Sequence, residues 1–183
     1  VNYWYKKEFD NAEKSFMEAY GYFNLEQYRK LHEFGTLNAN LALLYGSRKD
    51  YGKAVDYTQK ALDIIALADG KLHTDYLIDM SNYSKYAEAA GNNAAAYEYI
   101  LQSNDLLRQI IDKNLLYWSA QEMELFISNH TYRFMDHFNS FYFRHAAELP
   151  ELAGMMYDNQ LFMKGLLLSS AIKFQQAVNS IKD

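Results

Sequence analysis

Histidines and paired acids are the side chains best suited to chemistry, and the chain holds five of the former: His32, His73, His130, His137 and His145. His130 and His137 lie seven residues apart, near one face of a helix, with Asp136 adjacent. A zinc site needs converging ligands, as in His-Glu-x-x-His, and neither that spacing nor a clustered carboxylate triad is present. The histidines are therefore expected at the surface or at the edge of a groove. Glu122 and Glu124, two apart, diverge on a helix and cannot act as an acid–base pair. Glu148 and Glu151 flank Pro150, where they favour the start of a helix. Gly154 and Gly165 are single glycines within apolar helical patterns and form no phosphate loop. With no cysteine there is no disulfide, thiolate ligand or Cys–His nucleophile. These residues predict no enzyme, no cofactor and no metal.

A second set of candidates offers amides. Asn40 and Asn82 are separated by 42 residues, and Lys85 and Glu88 follow Ser81 by one and two turns. An amide carries both a donor and an acceptor, so it matches a peptide bond whatever the peptide's sequence. The competing reading has both asparagines capping or bridging helices internally. Lys85 and Glu88 either add charge selectivity or form a solvated face, which is the simpler reading.

The elements that must position these residues are helices. The chain has 183 residues, half of them hydrophobic, which is enough for a sizeable core. One proline and eight glycines favour helices joined by short turns, and 17 Tyr with 11 Phe supply large packing units. A net charge of -5 with no dense Lys/Arg run is the wrong footprint for nucleic acid. The apolar run Leu161–Ile172, broken by Lys164, is too short to span a bilayer. No signal peptide is visible, and the lack of cysteine fits a reducing compartment such as the cytoplasm. The chain opens inside a helical pattern, so it reads as a piece of a longer protein whose leader, if any, lies outside it.

Small residues recur with a period of 42. Ala12, Ala54 and Ala96 form one series; Ala19, Ala61 and Ser103, seven residues later, form another. Two helices cross closely only where side chains are small, and the second series falls two turns along the same face. Leu41, Leu44 and Tyr45 sit at helical spacing, Asp50 is a candidate N-cap for the next helix, and Gly91 is a candidate C′ glycine. A single helix pair cannot bury its apolar faces, so such units must stack.

This unit resembles the tetratricopeptide repeat (TPR) through Leu41, Ala42, Tyr45, Tyr51, Ala54, Ala61 and Leu62, with Asn38 where an early tryptophan is usual. The string Asn40-Leu41-Ala42-Leu43-Leu44-Tyr45-Gly46 is similar to the 42-residue repeats of kinesin light chains. The resemblance implies that the first helix of each repeat lines a concave face and that Asn40, Asn82 and Lys85 sit in a groove for an extended peptide. The basic clamp that some TPR proteins use for carboxylates is interrupted by Leu43.

After residue 113 the repeat register fades, since 42 positions past Ala96 stands Phe138. The spacing predicts one long helix over 119–147, opened by a Ser119/Glu122 capping box, and another over 150–181 with Pro150 in its first turn. Phe134, Phe138 and Phe141 form a stripe expected in the core, leaving Tyr142 and Phe143 for exposure or for a missing neighbour. Tyr117–Phe126 and the string from Leu149 to Leu168, with Tyr157-Asp158-Asn159-Gln160-Leu161-Phe162-Met163-Lys164-Gly165, resemble the region that joins repeats to the caspase-like CHAT domain in bacterial TPR–CHAT proteins.

The expected fold is all-α: a right-handed TPR-like superhelix of antiparallel helix pairs over 1–113, its first repeat incomplete, followed by longer C-terminal helices over 114–183 that would lead into a CHAT domain. The expected function is a protein–protein scaffold or sensor segment that binds a peptide or partner domain. The alternative is a structural spacer or dimerisation module without a peptide ligand. Partners are expected to be proteins or peptides, with neither nucleic acid nor membrane insertion.

Overall fold

The computed structural model describes residues 8–115 and 117–180, with the side chains of Leu167, Ser170 and residues 173–180 left aside. Among the described residues there are helices and no strands. The helices are α1 (Phe9–Phe23), α2 (His32–Ser47), α3 (Tyr51–Ala68), α4 (Thr74–Ala89), α5 (Asn93–Asn114), α6 (Ala120–Phe126), α7 (Tyr132–His145) and α8 (Leu152–Ser180). A 3-10 turn, Glu26–Tyr28, precedes α2, and a π-turn, Ile127–Thr131, joins α6 to α7. None of these helices is long and apolar enough to cross a membrane. The chain divides into two compact units, one ending at Ile110 and one beginning at Ile111.

In the first unit successive helices run antiparallel. Tyr45 donates to Glu13 at 2.6 Å and Phe34 packs on Tyr20 and Phe23, which pairs opposite ends of α1 and α2. Tyr57 stacks on Tyr45 at 5.4 Å while the far end of α3 touches Gly35, reversing α3 against α2. Helices two apart run parallel: His32 meets Asp75 near one end of α2 and α4, and Gly46 meets Tyr86 near the other.

The small residues are the contact points. Ala12, Ala54, Ala61, Ala96 and Ser103 are buried, and Ala19 is half-buried against the core cluster. Gly35 and Gly46 extend the same device: a Cβ on Gly35 would stand 2.7 Å from Ile65 Cγ1, and one on Gly46 would stand 2.5 Å from Tyr86 Cε1. Phe34, Leu37, Leu41, Tyr45 and Ala54 form a core cluster, with Phe16, Tyr20, Phe23, Tyr57, Ile64 and Tyr86 packed against it.

The turns repeat as well. After α2 the Asp50 N–H donates to Tyr45 O and the Lys49 N–H to Gly46 O; after α4 the Asn92 N–H donates to Ala87 O and the Gly91 N–H to Glu88 O. Both are Schellman closures, with Lys49 at φ 63 and Gly91 at φ 84 in the left-handed position. The next residue then caps the following helix: Asp50 Oδ1 accepts from Lys53 N, and Asn92 Oδ1 accepts from Ala95 N, both at 3.2 Å. Every member of the second turn lies 42 residues beyond its counterpart in the first.

In the second unit the Ser119/Glu122 capping box is present, with the Ser119 N–H donating to Glu122 Oε2 at 2.8 Å. The helix expected over 119–147 ends at His145, and its path includes the π-turn, whose wider turn carries Ile127 and Thr131 into the core beside Phe126 and Phe134. Phe134, Phe138 and Phe141 are buried as expected, and Phe143 is 70% exposed. Leu152, Asn159, Met163 and Leu166 form the buried stripe of α8, which packs on α6 and α7. Pro150 lies in the turn ahead of α8 rather than in its first turn, and its carbonyl accepts from Ala153 N at 3.1 Å. The expected end at Ile181 and the incomplete start at Val1 lie outside the described residues.

Two substitutions test this packing. Gly46→Ala is expected to destabilise by about 1–3 kcal/mol, because the new methyl must displace the Tyr86 ring. Lys49→Gly is expected to stabilise by roughly 0.5–1 kcal/mol, because it relieves a side chain held at positive φ. Urea unfolding of the two variants beside wild type measures both shifts.

Candidate functional site

The outward face of the first unit carries the amides. On α2, Glu33, Thr36, Leu43 and Ser47 are exposed and Asn40 is half-buried among them. On α4, Ile78, Lys85 and Ala89 are exposed, with Asp75 and Asn82 half-buried. The two stripes correspond position for position at a separation of 42, and the intervals of three and four residues keep each on one helix face. α2 and α4 run parallel, so Asn40 and Asn82 occupy equivalent positions along them. Neither amide side chain hydrogen-bonds to another described residue, so both have donors and acceptors available for a ligand. Apolar Leu43 and Ile78, each 38% exposed, supply contact area on either side.

Asn38 behaves differently although it is two residues from Asn40. It is fully buried, its Nδ2 donates back to Phe34 O at 2.7 Å, and its Oδ1 has no partner among the described residues. It lines a cavity of about 260 Å³ with Tyr20, Phe34, Lys60, Asp63 and Ile64. Lys60 Nζ lies 4.6 Å from the centre of the Tyr57 ring.

Polar ties hold the helices that bear the face. Arg48 pairs with Glu13 and, at 2.7 Å, with Asp10, linking α1 to the turn after α2. The Tyr45 hydroxyl and Arg48 hold the Glu13 carboxyl below its usual range, while burial and the Glu13 charge push the Tyr45 hydroxyl up. Tyr99 on α5 stacks on Tyr83 at 3.9 Å and donates to Gln59 on α3; burial, with smaller contributions from neighbouring acidic groups, pushes its hydroxyl up to about 12.

Two of the five histidines depart from expectation. His137 and His145 are buried rather than at the surface, because α7 packs one whole side inward; the His145 ring lies 4.5 Å from Phe141 between ring centres. His32 forms a cluster that the residue types alone do not announce: Nδ1 is 2.5 Å from Asp69 Oδ2 and Nε2 is 3.2 Å from Asp75 Oδ2. The period held the clue. Asp75 occupies in its repeat the place of Glu33, the neighbour of His32, and parallel helices bring such positions together. Among the described residues no group of His, Asp and Glu is arranged to hold a metal ion.

Comparison with protein-family models gives no match for this chain, and no curated protein matches it either.

The two kinds of asparagine separate in a stability measurement. Asn40→Ala and Asn82→Ala are each expected to change stability by no more than about 0.5 kcal/mol. Asn38→Leu is expected to be neutral or to stabilise by up to about 1 kcal/mol, since it removes a buried acceptor that lacks a partner. A loss of about 2 kcal/mol or more at Asn40 or Asn82 would mean that the amide is held internally.

Proposed function

We propose that the first unit binds an extended peptide segment of a partner protein across the face formed by α2 and α4, and that the chain works by binding rather than by catalysis. The observation that carries this reading is the pair Asn40 and Asn82: register-equivalent, half-buried, on parallel neighbouring helices, and without side-chain hydrogen bonds to other described residues. A partly desolvated amide gains most from a partner that supplies both a carbonyl and an N–H, and a peptide backbone supplies them in alternation. Leu43 and Ile78 add apolar area, and Lys85 adds a charge at the edge of the α4 stripe.

On this reading the helix pairs are repeats of the TPR type, wound as a right-handed superhelix with this face on the concave side. The 42-residue spacing of the Schellman turns and caps supports that assignment. The sequence resemblance extends the proposal: as in TPR–CHAT proteins, the bound segment would be a signal or scaffold contact serving a downstream caspase-like domain.

Selection from a library of short unstructured peptides tests the proposal. Enriched peptides are expected to bind wild type and to lose about tenfold or more in affinity, about 1.4 kcal/mol, on the Asn40→Ala/Asn82→Ala double variant at unchanged helicity and melting temperature. Equal affinity for both proteins would move binding away from this face. Failure to enrich any peptide would favour a spacer or dimerisation module.

A further inference from the structure

The turn between α3 and α4 gathers titratable groups that the peptide face does not use. His32, in the first turn of α2, places Nδ1 2.5 Å from Asp69, the residue that closes α3, and Nε2 3.2 Å from Asp75 in the first turn of α4. A neutral imidazole has one N–H, whereas an imidazolium directs one at each carboxylate. One turn beyond Asp75 on the same face of α4 stands Asp79, which is 4% exposed and whose Oδ2 has no hydrogen-bond partner among the described residues. His73, which caps α4, faces the His32 ring at 5.5 Å, and its Nδ1 accepts the Asp75 N–H, which requires that nitrogen to be unprotonated. Glu33 is the remaining charged neighbour, from α2 itself.

We propose that this junction is a protonation-set latch: cationic His32 ties the end of α3 to the start of α4, and neutral Asp79 lies closed within α4 beside it. His32 and Asp79 act in the same direction. The hydrogen bond to Asp69 is the largest influence on His32 and raises its pKa, so the stability it contributes is present below the ordinary histidine value and is lost as pH rises through the raised one. Burial, reinforced by the Asp75 charge and partly opposed by cationic His32, raises Asp79 from 3.8 to about 8, so its contribution is lost progressively as pH rises across that interval. The latch is therefore closed in mildly acidic solution and opens in mildly alkaline solution. Because α2 and α4 carry Asn40 and Asn82, opening would change the spacing of the two amides. That consequence rests on the peptide reading, whereas the latch does not.

Hydrogen–deuterium exchange of the segment 69–80 in the full chain, corrected for intrinsic rates, tests the latch without a ligand. Wild-type protection is expected to fall about tenfold or more between about pH 6 and about pH 8.5, the least that a shift of this size produces. Asp79→Asn, which keeps the shape but cannot ionise, is expected to lose most of that pH dependence. His32→Gln is expected to lower protection at about pH 6 by the smaller part of that fall, the part that persists in Asp79→Asn. Equal wild-type protection at the two pH values would overturn the proposal whatever the variants do, and so would an undiminished pH dependence in Asp79→Asn. A failed peptide selection would leave these outcomes untouched.

Discussion

Close approach of neighbouring helices is the constraint on which the first unit depends. Ala54, Ala61, Ala96 and Ser103 are fully buried, and the two glycines of α2 stand where a methyl group would collide with Ile65 on one side and Tyr86 on the other. Each small residue lets one backbone come near enough for the large neighbours, Phe34, Tyr45, Tyr57 and Leu62, to close around the crossing. Because the small positions recur every 42 residues, the crossings recur too, and the outward stripes of α2 and α4 emerge in register.

The turns convert that spacing into direction. A left-handed residue ends α2 and α4 at equivalent positions, and the residue after it caps the next helix. Lys49 and Gly91 do the same geometric work with different ease, since a side chain at positive φ is strained and a glycine is not. Ion pairs and rings then tie elements that the turns do not join: Arg48 to α1, Tyr99 to α3, and His32 to the α3–α4 turn. The ties of Arg48 and His32 lie at turns and helix ends, whereas that of Tyr99 joins two helices along their length.

The second unit is built on another plan. Its core is aromatic and thioether-rich, with Met123, Phe126, Phe134, Phe138 and Phe141 facing Leu152 and Met163. A π-turn inside the long helix and two buried histidines set it apart from the repeat pattern. The buried ring of His145 lies against Phe141 there, with its Nδ1 3.5 Å from Glu148 Oε2.

Helix content, the 42-residue period, the caps at Asp50 and Ser119 and the core role of Phe134, Phe138 and Phe141 were legible in the residues because each is a local property of spacing and type. The end of α7 at His145, the start of α8 at Leu152 and the π-turn were not, since helix ends are set by which turn finds burial and hydrogen-bond partners. The candidate amides could be named from spacing, but tertiary packing alone decided that Asn38 is buried with an oxygen unpaired among the described residues while Asn40, two residues on, is half-exposed. The His32 cluster was decided in the same way. It joins residues 37 and 43 positions apart, and their charges meet because parallel packing of α2 and α4 superimposes positions that the chain itself keeps far apart.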